Sequence, residues 1–182
     1  MIFIAIVAFA GLLAICVVVS ASNNLVRLER LTQEAWAGID IALKRRHDLI
    51  PNLVATVKGY ATHEREALES LVLLRNEATA SGSLDGRVAA EAAIGIAITK
   101  LLGRVEAYPE LRSSAHFLEL QKELVNTEDR IAAARRFYNN NIRDFNVAIE
   151  TFPGSMVKGN RQPKPLFTLE DPSERATPTL TI

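Results

Sequence analysis

The 182-residue chain has a single cysteine, three histidines, and aromatic side chains at only 6% of positions. One cysteine excludes an internal disulfide framework and a cysteine-built zinc site, and three histidines are too few for most metal chemistry. Seven prolines and nine glycines supply too few turns for an all-β sandwich or barrel. Net charge is also missing: 21 Lys and Arg balance 21 Asp and Glu, so no summed field recruits nucleic acid. What remains abundant is Ala, Leu, Glu and Arg, which lose least on entering a helix. With 48% hydrophobic and 23% charged residues, the chain is neither a disordered tail nor a multi-span membrane protein. Its length suits one domain with a short appendage.

Charge is absent from Ile2 to Ala21, IFIAIVAFAGLLAICVVVSA. Twenty helical residues span roughly 30 Å, the hydrocarbon thickness of a bilayer. A buried helix of a soluble core would show some polar periodicity, and none is present. A secretory signal would carry a basic first region and a shorter apolar stretch, although Ser20-Ala21-Ser22 has the small residues of a cleavage site. Use of Cys16 for lipid attachment is opposed by the bulky Ile15 before it. Residues 1–22 therefore read as an uncleaved transmembrane anchor contacting lipid through residues 2–21. Arg27, Arg30, Lys44, Arg45 and Arg46 follow the span and nothing basic precedes it. The positive-inside tendency then predicts a single-pass protein of the bacterial inner membrane, N-terminus out and body in the cytoplasm.

Four helical segments follow, over residues 23–153. The first, Asn24 to His47, has the stripe Leu25, Leu28, Thr32, Ala35, Trp36, Ile39 and Leu43. Asp48 reads as the N-cap of the second, with Pro51 in its first turn. That helix is expected to run to Ala80 and bury Ile50, Leu53, Val54, Val57, Tyr60, Ala61, Ala67, Leu68, Leu71 and Leu74. Ser81-Gly82-Ser83 breaks it. The third covers Leu84 to Tyr108, with Ile94, Ile98, Leu101, Val105 and Tyr108 aligned, and Pro109 stops it. In the fourth, Phe117, Leu124, Ile131, Tyr138, Phe145 and Phe152 recur every seven residues, with Leu120, Thr127, Ala134 and Ala148 three places later. Such a seam belongs to a long antiparallel bundle, and short connections predict an all-α, up-down four-helix fold. Pro153-Gly154 ends it. Residues 154–182 hold four of the seven prolines and no helical period, so they read as an extended Pro-rich tail. Removing Val157–Ile182 is expected to leave the fold nearly unchanged.

Searches for chemistry mostly fail. His63-Glu64 is not followed by the second histidine of an HExxH site, no Glu precedes a histidine by three, and no P-loop or GxGxxG occurs. No catalytic, metal-binding or cofactor-binding residue can be named. Lys44, Arg45 and Arg46 read as the basic end of the first helix and a cytoplasmic retention signal, or as a patch for anionic headgroups. Glu64 lies at heptad spacing between Val57 and Leu71, inside the apolar stripe. A buried carboxylate must hold a proton or meet a cation or donors; Arg135, Arg136, Tyr138 and Asn139 of the fourth helix are the expected partners.

The run AWAGIDIALKRRHDLIPNLVATVKGYATHERE resembles the hallmark of the LemA family of bacterial membrane-anchored helical-bundle proteins. LLGRVEAYPELRSS, then FLELQKELVNTEDRIAAARRFYNNNIRDFNVAIETFP and the KPLF of the tail extend the likeness over Asn24 to Ile182. Asn23, Phe145 and Gly159-Asn160-Arg161 depart from the family pattern. The resemblance makes Lys44, Arg45, Arg46, Asp48, Pro51, Asn52, Lys58, Gly59, Tyr60, His63 and Glu64 the motif and interaction candidates. It implies no established enzymatic activity and no cofactor. A membrane-anchored, non-enzymatic adaptor presenting helical faces and the tail to protein partners is the leading expectation. The alternative is a membrane-associated hydrolase or metal-dependent enzyme using His63, Glu64 and a residue of the fourth helix. Homo-oligomerisation through the heptads stays open, although packing within the chain uses the same seam first.

Overall fold

No residue between Ile2 and Lys58 forces the backbone out of helix, and in the computed structural model, which describes residues 1–168, α1 runs unbroken over Ile2–Lys58. The expected boundary at Asp48 is therefore absent. Pro51 lies inside α1 rather than in a first turn. A mid-helix proline cannot donate to the carbonyl four residues back, here that of His47. The guanidinium of Arg75 fills the gap, its Nε donating to the His47 carbonyl at 2.9 Å. The break comes instead at Gly59-Tyr60, where Tyr60 and Ala61 both donate to the Val57 carbonyl. A 3-10 turn, Thr62–Glu64, leads into α2, Arg65–Ala80.

Ser83 caps α3, Leu84–Val105, by accepting from the Gly86 amide at 3.2 Å. Pro109 opens the short α4, Pro109–Ser113. The long α5 is Ala115–Glu150 and the single turn α6 is Gly154–Val157. Among the described residues the chain is all helix with an apolar N-terminal helix, and it contains no strand.

The described residues divide into two compact units, one of residues 1–39 and 133–166, the other of residues 40–132 with Phe167 and Thr168. In the second unit one core joins Ile50, Leu53 and Val57 of α1 to Leu68 and Leu71 of α2, Ile94, Ile98 and Leu101 of α3, and Phe117 and Leu124 of α5. Tyr60 departs from the expected stripe and is 48% exposed, because the helix that would have turned it inward has ended. In the first unit Leu25 and Leu28 of α1 pack with Phe145 and Ile149 of α5. There Trp36 and Tyr138 meet edge to face at 5.4 Å.

The heptad positions of α5 are buried from Phe117 through Phe145, but Phe152 lies beyond the end of the helix and is 74% exposed. Toward the C-terminus, Ile142 and Ile149 join the seam four residues after Tyr138 and Phe145. An α-helix turns every 3.6 residues, so a strict seven-residue line drifts across its face and the next position takes over.

The tail also differs from expectation. Residues 158–168 are non-helical, as expected, but they dock. Asn146 clamps the Lys164 backbone on both sides, Arg161 reaches Glu29, and Phe167 is fully buried. Removal of Val157–Ile182 would therefore take contacts out of the folded body. The rest of the Pro-rich tail, from residue 169 on, lies outside the described residues.

Two outcomes test these packing arguments. Arg75→Ala should destabilise the full chain in detergent by about 1–2 kcal/mol, since it strands a carbonyl. The cost should shrink in a Pro51→Ala background, where a backbone N–H again serves His47; equal costs in both backgrounds, by denaturant titration, would refute the compensation. Gly154 is buried where an added Cβ would sit 2.0 Å from the Ala148 carbonyl oxygen. Gly154→Ala should cost about 2 kcal/mol, because backbone must shift to admit the methyl; a melting temperature unchanged from wild type would contradict this.

Candidate functional site: a buried ion cluster in the LKRRHD segment

Arg46 lies three residues after Leu43 and four before Ile50, on the stripe that packs α1 into the second unit. Its side chain is 1% exposed. From α3, Glu91 lies three residues before Ile94 on that helix's own buried stripe and is 0% exposed. The two meet: Arg46 Nη2 pairs with Glu91 Oε2 and donates to the Glu91 carbonyl at 2.9 Å. Nη1 reaches both carboxylate oxygens of Glu128 on α5, at 3.1 and 3.3 Å. His47 Nε2 lies 2.9 Å from Glu91 Oε1, close but without the angle of a hydrogen bond. Around this centre Arg45 pairs with Glu123, and Arg87 Nη2 with Asp40 Oδ1 at 2.7 Å.

Burial by itself would push the Glu91 carboxyl up. Its contacts to His47 and Arg46 outweigh that and hold it below the ordinary carboxylate value. Glu91 is accordingly an anion whose charge is met inside the protein by Arg46 on one oxygen, with the His47 ring beside the other.

A second cluster forms at the start of α2. Glu64 is 14% exposed at its side chain and accepts from Arg104 Nη1 at 2.8 Å and from the Tyr108 hydroxyl at 3.3 Å. The expected partners Arg135, Arg136, Tyr138 and Asn139 are replaced by residues at the end of α3 and just beyond it. The 3-10 turn accounts for the change, since it re-aims Glu64 relative to a continuous helix. The desolvation of Tyr108, and then the charge of Glu64, raise that phenol's pKa, while the Glu64 hydrogen bond raises that of Arg104.

The other motif candidates scatter. Lys44 and Asp48 form an exposed pair at 3.6 Å on α1, so Asp48 caps nothing. Pro51 and Asn52 are exposed, the Asn52 carbonyl accepting from Thr56. Lys58, Gly59 and Tyr60 make the exposed helix end, and His63 is exposed in the 3-10 turn. His63 and Glu64 are neighbours in sequence, and the Glu64 carboxylate is engaged by Arg104 and Tyr108. The basic cluster is also not a helix end: α1 continues past it for three turns and turns Arg46 inward.

An open groove of about 620 Å³ lies beside this region, lined by Val54, Lys58, Ala61, Arg65, Leu68, Glu69, Val72 and Leu73. Among the described residues no three His, Cys, Asp or Glu side chains converge to hold a metal. Glu91 and Glu128 were missed by sequence reasoning. The signal was present for Glu91, since the periodicity that singled out Glu64 also places Glu91 with Ile94 and Ile98. Glu128 had no such signal.

Comparison with known proteins gives a consistent picture. The sequence model of the LemA family matches residues 35–181. Protein LemA of Metamycoplasma hominis is 29% identical over 140 residues, covering 75% of this chain and 63% of that protein. Magnetosome protein MamQ 2 of Paramagnetospirillum magneticum is 26% identical over 157 residues, covering 72% of this chain and 58% of that protein. The match thus spans about 60% of the length of these relatives.

Glu91→Ala should destabilise by about 3–5 kcal/mol, most of it the cost of leaving Arg46 underpaired in the interior. Glu91 has a folded pKa below its unfolded value. Its contribution is therefore present above the unfolded pKa, about 4.3, and lost as pH falls through the folded pKa. Denaturant midpoints of the wild type should drop on acidification through this window, and Glu91→Gln should flatten the drop. An identical acid profile in the two proteins would contradict the assignment.

Proposed function

The chain belongs to the LemA family, and we propose that it is a non-enzymatic scaffold anchored in the bacterial inner membrane, with an up-down antiparallel four-helix body facing the cytoplasm. One observation carries the anchor. The most apolar 18-residue window of α1 has mean hydropathy 3.2 and is 0% buried, in a protein whose other apolar stripes are packed into cores. Exposing such a surface to water has no compensation among the described residues, whereas lipid compensates it fully. The relatives are bacterial, and those from Paramagnetospirillum magneticum are named as magnetosome proteins.

The LemA family is not a known enzyme family. Of the motif residues that could have served chemistry, Arg46 and His47 face Glu91 and Glu64 pairs with Arg104 and Tyr108, while His63 is exposed. What the body leaves free is surface, including the open groove beside Leu68 and Leu73. Surface of that kind supports partner binding better than catalysis, which wants converging polar groups in a water-excluding pocket.

The anchor and its orientation are tested together. The full chain should remain in the pellet after alkaline extraction of membranes, and a cytoplasm-active reporter fused after Ile182 should function while a periplasm-only reporter stays silent. Release by alkali would sink the anchor, and an active periplasmic reporter would sink the orientation.

A further inference from the structure

After α6, Gly159 adopts a left-handed conformation, φ 57°, and turns the chain into the strap of residues 161–165. Pro163 and Pro165 flank Lys164 and lack backbone N–H groups, so the one amide between them belongs to Lys164. Asn146 of α5 reads that amide and its carbonyl together: Lys164 N donates to Asn146 Oδ1 at 2.8 Å, and Asn146 Nδ2 donates to the Lys164 carbonyl at 2.9 Å. The lysine side chain lies over the Phe145 ring at 4.7 Å and donates to Thr32 Oγ1 at 3.1 Å. Thr32 is held for this by donating its own hydroxyl to the Glu29 carbonyl at 2.7 Å. The Glu29 carboxylate faces both strap cations, Arg161 Nε at 3.1 Å and Lys164 Nζ at 3.9 Å.

This is how a receptor reads a ligand. An amide recognises an extended backbone, an aromatic ring and a hydroxyl recognise an ammonium, and a carboxylate selects positive charge. The two prolines hold the segment extended before it docks, so little entropy is lost on binding. We propose that Glu29, Thr32, Phe145 and Asn146 form a binding site for an extended lysine-bearing strap, occupied by residues 161–165 of the same chain and open to the same strap from a second copy. The strap is suited to exchange. Its contacts are polar, Arg161, Lys164 and Glu29 each keep about a third of their side chain in water, and Leu166 is 38% exposed. Exchange between copies regains the contacts of Arg161 and Lys164 with Glu29, Thr32, Phe145 and Asn146, and Gly159 supplies the hinge. The site stands on its own geometry and does not depend on the scaffold reading.

A charge-reversed pair of full-length chains in detergent tests it. One copy carries Arg161→Glu and Lys164→Glu, so its strap is repelled by its own Glu29. The other carries Glu29→Lys, so its site repels its own strap. Each alone should lose protection of the strap, with cleavage between residues 158 and 168 about tenfold faster than in wild type. Mixed, the two should associate, because each site then meets a strap of opposite charge, and protection should return toward the wild-type rate. A single chain with all three substitutions should be better protected without a partner than either separate variant, which establishes that the reversals do not unfold the protein. It should fall short of wild type, because Lys164→Glu forgoes the Phe145 ring. Cleavage in the mixture that stays at the unmixed rates, with no association between the copies, would overturn exchange. Wild-type protection in the separate variants, or none in the triple variant, would overturn the site itself.

Discussion

The body of this protein depends on how it accommodates the Glu91 carboxylate in its interior. An ion of that size loses several kcal/mol of hydration on burial, and only opposite charge with good hydrogen bonding offsets the loss. Arg46 is suited to this because its planar fork reaches Glu91 and Glu128 at once and still has a donor for the Glu91 carbonyl. The cluster ties together three helices, α1, α3 and α5, through groups that tolerate no slip in register. An apolar core alone would accept a shifted neighbour far more readily, since methyl groups are not directional. The ion cluster thus sets which residues of the LKRRHD segment face inward. It also explains why a motif so rich in charge exposes only part of it.

A second constraint comes from Pro51. In an isolated helix it would weaken the turn at His47, and a boundary there is the natural expectation. Arg75 removes the penalty from outside the helix, so α1 passes through and ends only at Gly59. The shift of that boundary by about a dozen residues has consequences downstream. It places Glu64 in a 3-10 turn against Arg104 and Tyr108, leaves Tyr60 in water, and opens the groove between the end of α1 and the start of α2.

The non-helical end of the chain follows a different logic. Composition marks it as a segment with little apolar area, for which free extension is the default. Its attachment uses directional polar contacts instead, with Asn146 replacing a strand neighbour and Glu29 gathering two cations. A segment held in this way is ordered without being part of a core, and that distinguishes residues 158–166 from the helices they lie on.

Helical class, the apolar N-terminal segment and most of the seam of α5 were legible in the sequence, because they depend on local propensity and on a period that repeats many times. Family membership was legible for the same reason: long motifs keep their spacing. The partners of charged and polar groups were not. The periodicity placed Glu64 inside, but not opposite Arg104, and it left Arg46 looking like one more surface cation in a basic run. Whether Pro51 ends a helix, whether Glu91 is tolerable at a core position, and whether a Pro-rich tail stays free are each decided by one side chain distant in sequence: Arg75, Arg46 and Asn146. A pattern along the chain fixes which face of a helix is apolar. Only the tertiary structure brings together the donor and the acceptor that make a buried charge or an interrupted helix stable, because that stability depends on distances of about 3 Å between residues dozens of positions apart.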